Sequence, residues 1–247
     1  MDNNKKKVMI KVENVSKTFI LPHERRDSIV EYISNPIKSL RSPKEKFEVL
    51  KDVNFEVKQG EFVGIMGKNG SGKSTLLKIL AGIYLPTTGR VTINAHLIPF
   101  LELGVGFNSE LSGRDNIFFN GVILGMSTKY LKSKFDEIVA FAELERFMDL
   151  PLKNYSSGMM VRLAFSIAMM ANADIYLLDE VLAVGDIQFQ QKCFNVFDRF
   201  IKEGKTIVLV THSIELVDKY CDNAMLIENG NVITGLKKDE VISRYRA

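Results

Sequence analysis

The chain has 247 residues, 46% of them hydrophobic, enough to bury one large core or two modest ones in a soluble globular protein. Thirty-three Lys+Arg against 30 Asp+Glu leave a net charge of +3, which makes no electrostatic case for nucleic acid. Two cysteines, Cys193 and Cys221, without CxxC or Cys/His clustering, argue against a disulfide framework or zinc site and for free thiols in a reducing compartment.

The N-terminus, MDNNKKKVMIKVENV, carries the positive charge of a leader, but Lys11 and Glu13 cut its apolar part at once, so no cleaved or inserted segment is expected. No run approaches the roughly 18 apolar residues of a membrane span. Any membrane role would go through a partner. Residues 8–19 and 47–58 read as strands of an antiparallel flank. Between them, residues 20–46 are longer than such a connection needs. Ser28 with Glu31 forms a capping box, Ile29, Ile33, Ile37 and Leu40 recur at helical spacing, and Pro36 and Pro43 break the run. This insertion carries six Lys/Arg and four Asp/Glu. It suits either a solvated helix lying on the core or contact with a membrane surface or membrane-spanning partner.

The stretch GIMGKNGSGKST, residues 64–75, lies between an apolar strand-type run and a helical pattern of Leu76, Leu77, Ile79, Leu80 and Ile83. Gly67, Gly72, Lys73 and Ser74 match GxxxxGK[ST], the P-loop. Glycines let backbone N–H groups approach phosphate oxygens, and the helix N-terminus adds partial positive charge. Gly67, Asn69, Gly70, Ser71, Gly72, Lys73, Ser74 and Thr75 are therefore candidate nucleotide ligands. Lys73 reaches the β- and γ-phosphates, and Ser74 is a candidate ligand of Mg²⁺.

Residues 109–170 read as helices, and YSSGMMVRLAFSIAMM opens the last of them with Ser156, Ser157 and Gly158, a second helix N-terminus. DIYLLDE then gives a buried strand, Ile175 to Leu178, ending in Asp179 and Glu180. Two acids at a strand end are costly without a role. Asp179 is placed to hold Mg²⁺ through its water shell and Glu180 to polarise the attacking water. TIVLVTH is a further apolar strand, ending in His212, which could sense the γ-phosphate. Residues 61–95 and 172–222 alternate strands and helices as a parallel sheet requires. Asn229-Gly230 marks a final hairpin.

With these motifs in this order, the chain resembles the nucleotide-binding subunits of ABC transporters from near residue 8 to near 240. YSSGMMVRLAFSIA, DEVLAVGDIQFQQKC and FLELGVGFNSELSGRDNI further resemble the subgroup that exports bacterial surface polysaccharides of the O-antigen, teichoic acid or capsular type. The resemblance implies an α/β fold: a P-loop NTPase with a RecA-like core, an antiparallel β flank and a helical subdomain in one domain, 1–247. It implies that Tyr155, Ser156, Ser157, Gly158 and Met159 stand where the family usually has LSGGQ, with three positions changed. Asp186 takes the D-loop position, Asn108 the place of the Q-loop glutamine near Mg²⁺, and Phe19 that of the aromatic packed on adenine. Some relatives carry an additional C-terminal sugar-binding domain, for which no room is expected here. The implied function is hydrolysis of ATP with Mg²⁺ by a homodimer at the cytoplasmic face of the cell membrane. That dimer drives a separate membrane-spanning permease that moves lipid-linked polysaccharide, with no nucleic acid involved. Another exported substrate, a soluble ABC ATPase and a non-catalytic nucleotide sensor stand as alternatives.

Overall fold

The computed structural model describes residues 6–22, 44–100, 104, 106–179 and 186–246. Most of the 20–46 insertion, with its capping box, and Glu180 lie outside these residues. In chain order the elements are β1 (Val8–Pro22), β2 (Lys44–Lys58), β3 (Phe62–Gly67), α1 (Lys73–Leu80), β4 (Thr88–Ile93), β5 (Leu97–Phe100), α2 (Gly113–Ile123) and α3 (Thr128–Ala142). There follow α4 (Ser157–Ala168), β6 (Ile175–Asp179), α5 (Ile187–Lys202), β7 (Thr206–Val210), α6 (Ile214–Tyr220), β8 (Asn223–Glu228), β9 (Asn231–Ile233) and α7 (Lys238–Arg246).

Two sheets result. One has the order β2-β1-β4 and is antiparallel; the other has the order β5-β6-β7-β3-β8-β9, parallel except for the β8–β9 hairpin. The strands β3, β6 and β7 are buried along nearly their whole length because both faces of the parallel sheet are covered. Their alternation divides the core. Val63, Ile65, Ile175, Leu177, Val208 and Val210 face α1 and the antiparallel sheet, whereas Phe62, Met66, Tyr176, Leu178, Ile207 and Leu209 join the cluster made with the remaining helices.

Residues 88–93 do not continue the parallel core that the alternation of residues 61–95 predicts: β4 pairs antiparallel with β1, Ile10 opposite Ile93 and Val12 opposite Val91. Its residues are exposed or half-buried, as suits a sheet with one face toward water and as a strand covered on both sides would not be. The hairpin turn stands as read, with Asn229 at φ 50 and Gly230 at φ 83, both positive as a type I′ turn requires. Both cysteines are free and buried, and burial pushes each thiol up to about 12.

Candidate nucleotide site

The parallel strands all present their C-terminal ends to one edge, where open α/β sheets bind ligands. There β3 delivers Gly67 and the loop into α1. A Cβ on Gly67 would lie 2.5 Å from Ser71 Oγ and 2.7 Å from the Ile227 carbonyl oxygen; one on Gly72 would lie 2.9 Å from Leu50 and 3.0 Å from the Val49 oxygen. Gly72 also has φ 109, in the left-handed region that favours glycine. The loop is thus held tightly against β2 and β8 at its two ends. Gly70 between them meets nothing within 4 Å, which leaves its face open to a ligand.

No side chain caps the first turn of α1. Its N–H groups and dipole therefore face the loop as an anion site. Lys73 is 8% exposed, and its Nζ donates to the carbonyl oxygens of Gly67 at 2.6 Å and Lys68 at 3.0 Å. Ser71 Oγ is buried with no hydrogen-bond partner, capacity that a bound phosphate chain and its waters can use.

A cavity of about 560 Å³ opens over this loop. Gly72, Lys73, Ser74 and Thr75 line it with Asn69 and Gly70, Asp179 enters from the end of β6, and Phe19, Phe47 and Val49 form the apolar side. Phe19 and Phe47 are cross-strand partners in the β1–β2 register, and Phe19 packs edge-on against Tyr84 at 5.8 Å with Lys17 Nζ 5.1 Å from its ring centroid. The cavity therefore has a flat apolar end and a cationic, N–H-rich end, the polarity of a nucleotide. A larger cavity of about 670 Å³ lies on the outer shoulder of the loop between β2, the β8–β9 turn and α7, but neither Lys73 nor Asp179 lines it. The smaller cavity is the one with the chemistry.

Ser74 and Asp179 share this cavity and could hold Mg²⁺. Among the described residues no group of three or more His, Cys, Asp or Glu could hold a metal ion. One hydroxyl, one carboxylate and substrate phosphates are the ordinary donors of Mg²⁺ in phosphoryl transfer, so the residues present fit that ion.

Other sequence candidates sit elsewhere. His212 follows β7 and is exposed; Val210, two residues before it, pairs with Ile65, two residues before Gly67. That register sets His212 at the same sheet edge between β6 and β3. Asn108 does not line the cavity: its Oδ1 accepts from Glu110 N at 3.0 Å, and its backbone is clamped by the fully buried Asn116. Ser156, Ser157 and Gly158 are exposed at the start of α4, and none lines the cavity. Ser156 Oγ accepts from Met159 N at 3.2 Å, leaving Ser157 and Gly158 presented outward. Tyr155, which departs from the family's leucine, is buried and donates its hydroxyl to the Phe147 carbonyl at 2.7 Å; burial pushes its ionisation up to about 12. Asp186 caps α5, accepting from Phe189 N, and that bond together with Arg162 holds its carboxyl below the usual range. Phe47, Val49 and Asn116 were not anticipated, because their roles come from cross-strand register and a buried loop contact that no local pattern signals.

The family model for the ABC transporter matches residues 50–183, more than half of the chain. The chain belongs to this family. It is 48% identical over 197 residues to the O-antigen export system ATP-binding protein RfbB of Myxococcus xanthus, a match covering 80% of this chain and 45% of that protein. To the protein of the same name from Klebsiella pneumoniae it is 38% identical over 239 residues, 96% of this chain and 97% of the relative. The teichoic acids export ATP-binding protein TagH of Lactococcus lactis subsp. lactis (strain IL1403) is 40% identical over 247 residues, 98% of this chain and 51% of that one. The chain thus spans about half the length of two of these relatives. Among solved structures, the dimeric post-hydrolysis state of the ATP-binding cassette MJ0796, bound to ADP and Pi, superposes with a TM-score of 0.71 at 26% identity, covering 93% of this chain and 99% of that one.

Proposed function

We propose that this ABC family member is the ATP-hydrolysing subunit of a bacterial exporter that moves lipid-linked surface polysaccharide, of the O-antigen or teichoic acid class, through a separate membrane-spanning permease. One observation carries the catalytic part: the P-loop, Ser74 and Asp179 share one cavity, while Ser157 and Gly158 are exposed and do not line it. The two half-sites complete each other when a second copy faces the first head to tail, each α4 N-terminus meeting the other subunit's P-loop. The dimeric cassette bound to ADP and Pi supports pairing of two copies by similarity.

In the composite site Lys73 and the α1 N–H groups bind and orient the β- and γ-phosphates, and Phe19 stacks on the base. Mg²⁺, held by Ser74 and Asp179, supplies neutralisation of phosphate charge when bound. Glu180 takes the proton of the attacking water, and His212 contacts the γ-phosphate from the neighbouring strand. Polysaccharide as the cargo rests on the names of the relatives. Among the described residues no helix is long and apolar enough to cross a membrane; the export names of the relatives support coupling through a separate permease, engaged from the cytoplasmic face. Affinity purification from detergent-solubilised membranes tests it. A multispanning protein and a lipid-linked glycan accompany the chain if the reading holds; recovery of the chain with ribosomes or DNA and no membrane protein refutes it.

A further inference from the structure

Glu143 ends α3 in the left-handed region, φ 59 and ψ 44, a conformation uncommon for a non-glycine residue. Its carboxylate accepts from two helices at once: from Arg162 Nη1 of α4 at 2.8 Å and from Lys192 Nζ of α5. The other terminal nitrogen of Arg162 donates to Asp186, the N-cap of α5. The guanidinium also lies over the Phe189 ring, 5.0 Å from its centroid, and Lys192 Nζ is 5.8 Å from that of Phe141. Four charged groups and two rings therefore join the end of α3, the middle of α4 and the beginning of α5.

Isolated exposed ion pairs contribute little, and three features set this network apart. The Arg162 side chain is only 18% exposed, its planar fork is divided between two carboxylates, and it stacks on an aromatic face. Lys192 and Arg162 hold the Glu143 carboxyl below the usual range, so the bridge is intact at neutral pH. Arg162 lies five residues beyond Ser157, about one and a half helical turns from the N-terminus of α4. Apolar packing sets how closely α4 approaches α5. Directional charge contacts add a constraint on rotation and axial position that apolar packing alone does not supply.

We propose that Glu143 and Arg162 are positioning residues of the composite ATP site, locking the Ser157–Gly158 N-terminus to Asp186 so that both meet the partner's P-loop as one rigid surface. The inference rests on the head-to-tail dimer reading. Neither residue lines the nucleotide cavity, so their loss acts on pairing rather than on ATP capture by a single subunit.

The test uses Arg162→Ala, Arg162→Lys and the near-isosteric Glu143→Gln, each in a Glu180→Gln background where turnover does not dissipate the dimer. Binding of a fluorescent ATP analogue to dilute protein is expected to change by less than about twofold, while the Mg-ATP-dependent dimer dissociation constant rises about tenfold. Arg162→Lys recovers part of the loss, and combining Arg162→Ala with Glu143→Gln adds little to Arg162→Ala alone, the non-additivity of a shared network. If the background protein dimerises and the variants dimerise equally well, the inference falls alone. A loss of dimer matched by an equal loss of folded protein in thermal melts also overturns it. If the background protein itself stays monomeric with Mg-ATP, the dimer reading falls and takes the inference with it.

Discussion

Replacing Lys73 by Ala lowers ATP turnover by at least about a hundredfold, the scale for removing one preorganised charge contact from a transferring group. Lys73 is nearly buried and already directed at the loop by bonds to two backbone carbonyls. Those bonds hold its ammonium beside the loop, where a bound nucleotide's β- and γ-phosphates would lie. The fold survives the change, because α1 is anchored by Leu76, Leu77, Ile79 and Leu80 rather than by this charge. Phosphate release, measured beside a thermal melt, separates the two effects. Turnover within a few-fold of wild type, with an unaltered melt, refutes the role of Lys73.

Ser157→Glu moves stability and activity in opposite directions. A carboxylate in the first turn of α4 interacts favourably with the helix dipole, worth about 0.3–1 kcal/mol at an exposed site, so the melting temperature holds or rises slightly. The same charge would face the γ-phosphate of the nucleotide held by the other subunit, converting an anion site into a repulsive one. ATPase activity is expected to fall about a hundredfold while nucleotide binding to the monomer is unchanged. If activity persists, α4 does not approach the nucleotide; if binding to the monomer is lost as well, the serine acts within its own subunit.

The parts of the site that a single stretch of chain builds were legible in the sequence. A strand, a glycine loop and an amphipathic helix in succession announced the P-loop from spacing alone, and the Asn229-Gly230 dipeptide announced the hairpin, whose positive φ angles bear it out. Residues that owe their place to pairing between distant segments were not legible. Phe47 reaches the nucleotide cavity because it stands opposite Phe19 across two long strands, and β4 left the parallel core because its register with β1 outweighed its nearness in sequence to β5. The final helix, α7, was missed although it carries a readable signal: Asp239 and Glu240 in its first turn and Arg244 in its last follow the helix dipole. Val241, Ile242 and the half-buried Tyr245 do recur at helical spacing, but over little more than one turn, too short a window for the period to stand out.

In the proposed dimer ATP binds between two copies of this chain and Glu180 drives its hydrolysis. Sedimentation velocity of the Glu180→Gln variant, with Mg-ATP and then with Mg-ADP, tests it most directly. A dimer in Mg-ATP that reverts to monomer in Mg-ADP, with phosphate release abolished, is the predicted result. A variant that stays monomeric in Mg-ATP and hydrolyses it at the wild-type rate contradicts the claim.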